Sequence, residues 1–154
     1  MMQLRDLFKT FNPGTPIENP ALRGINLHIA AGEFVTVIGS NGSGKSTFAR
    51  LVTGLAQPSQ GRVMLNGLDT VKDAKALSGR SGYIFQNPAN QIIMPIVAED
   101  MEFGLKGKGM DKAARMRAIS ETLTGLGIAH LETRRAHELS GGECQRVALA
   151  ARLA

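Results

Sequence analysis

One hundred and fifty-four residues, 43% of them hydrophobic, supply one sizeable core and leave no room for a second full domain. The formal charge of +5 comes from 18 Lys and Arg scattered against 13 Asp and Glu, with aromatics at 5% and no Trp, a pattern that argues against a nucleic-acid surface. A lone Cys144 excludes an internal disulfide or cysteine-built metal site and suits a reducing compartment, and without a signal-peptide pattern or a membrane-length apolar run the chain is expected to be soluble.

In chain order, residues 2–11 predict an opening strand and NPGTPIENP at 12–20 a loop dense in Pro, Gly and Asn. Leu22, Ile25, Leu27 and Ile29 then follow a strand pattern with one wet face, which puts His28 on the solvent side. Ala31-Gly32-Glu33 predicts a hairpin-like turn into Phe34–Ile38. That segment is apolar except for Thr36 and is expected to be a strand covered on both faces in a parallel sheet.

Gly39, Ser40, Asn41, Gly42, Ser43, Gly44, Lys45, Ser46 and Thr47 follow at once. Glycine adopts positive φ without steric cost, so the chain can curl and aim successive backbone N–H groups at one point. A helix opening near Gly44 adds its unpaired first-turn donors and the positive end of its dipole, and such a point favours an anion. Lys45 then supplies a full charge for β- and γ-phosphate oxygens, and the Ser46 hydroxyl can ligate the accompanying Mg²⁺. The alternative, a flexible Gly/Ser loop without function, explains neither the lysine nor the flanking elements.

The helix is expected to end near Leu55, a breaker to occupy 57–61, and a short strand 62–67. Residues 68–80 are polar and irregular, with a helical turn around Asp73 to Leu77. Gly82 to Phe85 predict a buried strand with Gln86 at its carboxyl end, where open α/β sheets place ligand residues; a neutral amide there can ligate Mg²⁺ or orient water.

From 96 to 139 the pattern is helical, with a short acidic helix at 98–105 and a longer one from the N-cap Asp111 to about Leu126. Met116, Ile119, Leu123 and Leu126 form a core stripe on that helix, and His130 and His137 are expected at the surface. In LSGGECQRVALAARLA at 139–154, Ser140 and Glu143 have capping-box spacing, which by itself predicts only a helix start. Gly141 and Gly142 are left over, although each weakens a first turn by roughly 1 kcal/mol relative to Ala. Bare amides at a helix N-terminus are what a second phosphate contact requires.

As an ordered set these segments resemble the ATP-binding subunits of ABC transporters: GSNGSGKST at 39–47 is similar to a Walker A motif, the Gln86 region to a Q-loop, and LSGGECQR at 139–146 to the family signature. GTPIENPALRGINLHI and FQNPANQIIMPIVAEDMEFGL further resemble the ATPases of energy-coupling-factor importers of vitamins and transition-metal ions. The resemblance implies an α/β P-loop NTPase fold of the ABC type, with a mixed sheet and a helical subdomain. Residues 1–86 would form the ATP-binding core, 87–139 the helical part, and 139–154 the signature and its helix.

It also implies ATP and Mg²⁺ as cofactors, with Ser46 and Gln86 toward the metal and Phe11 as the adenine-stacking aromatic. Two copies, or a copy and a paralogue, would face head to tail, so that Ser140, Gly141, Gly142 and Glu143 meet the γ-phosphate held by the partner. Glu143 stands where Gln is commoner. The helical part would contact an integral membrane transporter subunit at the cytoplasmic face, where the protein would be peripheral. The family's Walker B aspartate, catalytic glutamate, D-loop and switch histidine lie beyond the signature helix. The chain stops at Ala154, so the expectation is a fragment that contains no catalytic base, binds ATP without hydrolysing it alone, and exposes apolar surface. A DNA-repair or translation ATPase of the same family and a regulatory nucleotide-binding module are the alternative classes.

Overall fold

The computed structural model describes residues 1–154, which fall into two units, Met1–Tyr83 and Ile84–Ala154. In the first, β1 (Met2–Phe11) lies inside a four-stranded antiparallel sheet, paired with β2 (Asn19–Ile29) on one side and β3 (Gln60–Leu65) on the other, with β4 (Leu68–Asp69) beyond β3. The register sets Leu4 opposite both Leu27 and Val63, so alternate apolar residues share one face. Leu4, Leu7, Leu22 and Val63 are buried there with Leu51 and Val52 of helix α1 (Lys45–Val52).

A bulge interrupts β1 at Asp6, whose φ is +46°. Asn26 secures it reciprocally, accepting from the Asp6 amide at 2.9 Å and donating to Asp6 Oδ1 at 2.9 Å. Facing this bulge, Gly61 has φ +79°, and a Cβ there would run into the Arg5 and Asp6 carbonyl oxygens; only glycine fits. The helical turn predicted after β4 forms as α2 (Ala74–Leu77).

Two expected strands do not form. Residues 34–38 lie outside every ladder, with Phe34 95% and Ile38 88% exposed, and β2 pairs with β1 rather than forming the predicted hairpin with them. Residues 82–85 likewise join no strand of the sheet, with Gly82 and Phe85 exposed and the Phe85 amide donating to Gln91 Oε1 at 3.1 Å. A strand exists only as part of a hydrogen-bonded ladder, and one that is apolar on both faces needs cover on both; neither segment is part of the ladder that forms here. The sheet that does form is therefore antiparallel throughout.

The second unit packs α3 (Val97–Leu105), α4 (Lys112–Gly125) and α5 (Gly141–Leu153) around Val97, Met101, Ile119, Leu123, Ile128 and Val147. Asp111 caps α4, its Oδ1 accepting from the Ala114 amide at 2.7 Å. Arg115 ties α4 to α3, with an ion pair to Glu102 at 3.0 Å and a bond from the same guanidinium to the Met110 carbonyl at 2.6 Å. Of the predicted stripe, Ile119 and Leu123 are fully buried and Leu126 packs at the margin, but Met116 is 37% exposed. At 100° per residue, Met116 lies at one edge of the arc that the other three define.

Candidate functional site

The site begins where α1 begins. Gly42 and Gly44 have φ of +81° and +90°, and Ser43 closes the loop by donating its amide to the Ser40 carbonyl at 3.2 Å. Gly44 is the N-cap of α1 and supplies no side-chain cap, so the first-turn amides keep their donors for a ligand. No acidic residue lies in that turn to compete for them.

A Cβ on Gly44 would stand 2.7 Å from the Ala21 carbonyl oxygen and 2.9 Å from Leu22 Cδ2, so β2 presses the loop from behind and bars any side chain there. Lys45 folds back over the loop: its ammonium donates to the Gly39 carbonyl at 2.8 Å and the Ser40 carbonyl at 2.7 Å, with Ser43 Oγ at 3.5 Å. Residues 39–43 and Ser46 are exposed and Gly44, Lys45 and Thr47 partly so, leaving the nest open to a solute. Beneath it, Leu22, Ile25, Leu27, Val37 and Phe48 line an apolar hollow that also reaches Lys45.

The Ser46 hydroxyl is exposed on the first turn of α1, an oxygen donor of the kind a hard cation takes beside nucleotide phosphates and water. No set of three His, Cys, Asp or Glu side chains is placed to bind a metal independently. Phe11 ends β1 and is 41% exposed. The Lys9 ammonium lies 5.1 Å from the centre of its ring while donating to the Gln57 carbonyl at 2.9 Å. Sequence reasoning missed this support, although two strand residues at i and i+2 share a face and could have signalled it.

The other predicted residues belong to the second unit. Gln86 is exposed in the bend before a 3₁₀ turn at Pro88–Gln91, not at the end of a formed strand. Asn87 caps that turn by accepting from the Ala89 amide at 3.2 Å, and Gln91 Oε1 accepts from the Phe85 amide at 3.1 Å. Ser140 caps α5 in a complete capping box. Its amide donates to Glu143 Oε2 at 2.8 Å, its hydroxyl donates to the same oxygen at 2.7 Å, and its Oγ accepts from the Glu143 amide at 3.4 Å. These contacts, the hydroxyl first and the amide second, hold the Glu143 carboxyl below its ordinary range. The hydroxyl-to-carboxylate bond could not be foreseen from spacing. Gly141 and Gly142 are exposed, neither has positive φ, and a Cβ on either would meet nothing within 4 Å. Internal packing therefore does not require glycine at either position.

A glycine nest and lysine between β2 and α1, together with a capped, glycine-led helix in a separate helical unit, define the class: a P-loop protein of the ATP-binding-cassette type. The ABC transporter family matches residues 22–154, and the chain belongs to it. It is 51% identical over 134 residues to the biotin transport ATP-binding protein BioM of Rhizobium etli, covering 87% of this chain and 59% of that protein. It is 41% identical over 157 residues to the energy-coupling factor transporter ATP-binding protein EcfA of Methanothermobacter thermautotrophicus, covering all of this chain and 49% of that one. The chain thus spans between about half and three fifths of these relatives' lengths.

Among solved structures, cbiO1 of Clostridium perfringens, described as part of the ABC transporter complex cbiONQ, aligns with a TM-score of 0.84 and 32% identity over 99% of this chain and 60% of that one. A dimeric post-hydrolysis state of the ATP-binding cassette MJ0796, bound to ADP and Pi, aligns with a TM-score of 0.83 and 30% identity over 99% of this chain and 69% of that one.

Proposed function

We propose that this chain is the nucleotide-binding part of an ABC transporter ATPase subunit of the energy-coupling-factor group, one that couples MgATP to transport by an integral membrane partner. The observation that carries this reading is the open nest at residues 39–47, with a lysine over it and uncapped amides beneath. In this reading the loop amides and Lys45 hold the β- and γ-phosphates, exchanging the lysine's carbonyl partners for phosphate oxygens. Phe11, steadied by Lys9, stacks on the adenine. Mg²⁺, when bound through Ser46, neutralises phosphate charge, and Gln86 is the proposed second residue toward it.

Two copies, or one copy and a paralogue, pair head to tail so that Ser140 and the bare amides of Gly141 and Gly142 face the γ-phosphate on the partner. The openness around those two glycines supports this. The helical unit, which exposes Ile93 (72%) and Phe103 (48%), is the proposed contact for the membrane subunit. No helix is long and apolar enough to cross a membrane, in keeping with a peripheral place on the cytoplasmic face.

Calorimetric titration with MgATP tests the reading: Lys45→Ala is expected to weaken binding at least about tenfold, the loss of a charge-assisted contact. Equal affinity in the two proteins would overturn it. A purely regulatory nucleotide-binding module would bind ATP in the same way, but adding the membrane partner would not change its turnover.

A further inference from the structure

We propose that the Glu143 carboxylate competes internally for the donors with which the signature loop holds a partner's γ-phosphate, and so sets how readily the ATP-loaded pair closes. This rests on the head-to-tail reading above and concerns Glu143, the signature residue whose part in that contact the reading leaves unspecified.

A serine hydroxyl carries one proton. At Ser140 that proton goes to Glu143 Oε2 at 2.7 Å, and the Ser140 amide goes to the same oxygen at 2.8 Å. The Glu143 amide is turned back to Ser140 Oγ at 3.4 Å. Of the donors at the start of α5, only the amides of Gly141 and Gly142 remain for an incoming anion. The carboxylate therefore occupies donors that a phosphate oxygen would use; like any glutamate it is ionised at neutral pH, and the Ser140 contacts favour that charged form further. A phosphate approaching Gly141 and Gly142 meets a like charge and must draw the Ser140 proton away from it.

Capping alone does not require that charge, since glutamine completes a capping box as well as glutamate does. The amide variant therefore separates the two roles. With Glu143→Gln the helix start is kept, the charge is gone, and a neutral acceptor holds the serine proton less strongly.

The test is pairing of the full chain, followed by sedimentation velocity in a non-hydrolysable ATP analogue with Mg²⁺, for the unaltered protein, Glu143→Gln and Ser140→Ala. The expected result is about tenfold tighter pairing for Glu143→Gln, from removal of one like charge near the phosphate, and weaker pairing for Ser140→Ala. Unchanged or weaker pairing in Glu143→Gln, with Ser140→Ala still weakened, would overturn the competition and leave the signature reading intact. Analogue-dependent pairing that Ser140→Ala does not alter would sink the signature reading itself. If Glu143→Gln fails to fold, Glu143→Ala replaces it: the competition again predicts tighter pairing, whereas a capping role alone predicts a lower melting temperature and no tightening.

Discussion

The phosphate loop owes its shape to a few atoms. Gly44 sits at φ +90° with the Ala21 carbonyl and Leu22 side chain at its back, so Gly44→Ala meets both an unfavourable backbone region and a steric wall. We expect it to lower stability by about 1–3 kcal/mol, read from urea denaturation, and to weaken MgATP binding as the loop is pushed away from β2. A variant with unaltered midpoint and affinity would refute this account of the loop. Lys45 differs in kind. Its partners are carbonyls of an exposed loop, so removing it should spare the fold and spoil the ligand site.

Among the elements, α5 depends most visibly on its first residue. Ser140→Ala removes the N-cap acceptor and is expected to cost about 1 kcal/mol of stability, measured by thermal or urea unfolding. The α3–α4 contact carries a pH signature. The hydrogen bond from Arg115 holds the Glu102 carboxyl below its ordinary value of 4.5, with nearby lysines adding to the effect. Because the folded-state pKa is depressed, the stabilisation is complete above about pH 4.5 and is lost as pH falls through the lower folded value. Asp69 behaves with the same sign: burial pushes its carboxyl up, but the Val71 and Lys72 amides and neighbouring cations outweigh it and leave it lowered. Glu102→Gln should therefore flatten part of the fall in urea midpoint below about pH 4.5 while changing little of its slope above pH 6. A pH profile identical to that of the unaltered chain would remove the ion pair from the explanation.

For the molecule as a whole, the exposed run at 34–38 dominates expected behaviour in solution. Phe34 and Ile38 lie almost fully in water beside half-exposed Val35 and Val37, an apolar patch of the sort that drives association. The double variant Phe34→Ser, Ile38→Ser is expected to bind less of a hydrophobic dye and to remain monomeric at higher concentration, as light scattering would report. Unchanged dye binding would show that the run is already covered.

Residue order was most informative where structure is settled within a few positions. The glycines at 42 and 44 and the lysine after them announced a loop that curls. Asp111 announced the start of α4, and Ser140 with Glu143 announced the cap of α5, because each rests on contacts three or four residues apart. The strands around Leu4, Leu22 and Val63 were legible because their alternating faces find one another in this chain. Phe34–Ile38 and Gly82–Phe85 have compositions just as suited to strands, yet join no strand of the sheet. Composition marks a segment as fit for burial, whereas only a neighbour's row of donors and acceptors makes it a strand, and that neighbour is a fact of three dimensions. The same division runs through the site: residue order alone supplied its chemistry, while the folding of Lys45 onto its own loop and of Glu143 onto Ser140 was decided by distances that no spacing rule contains.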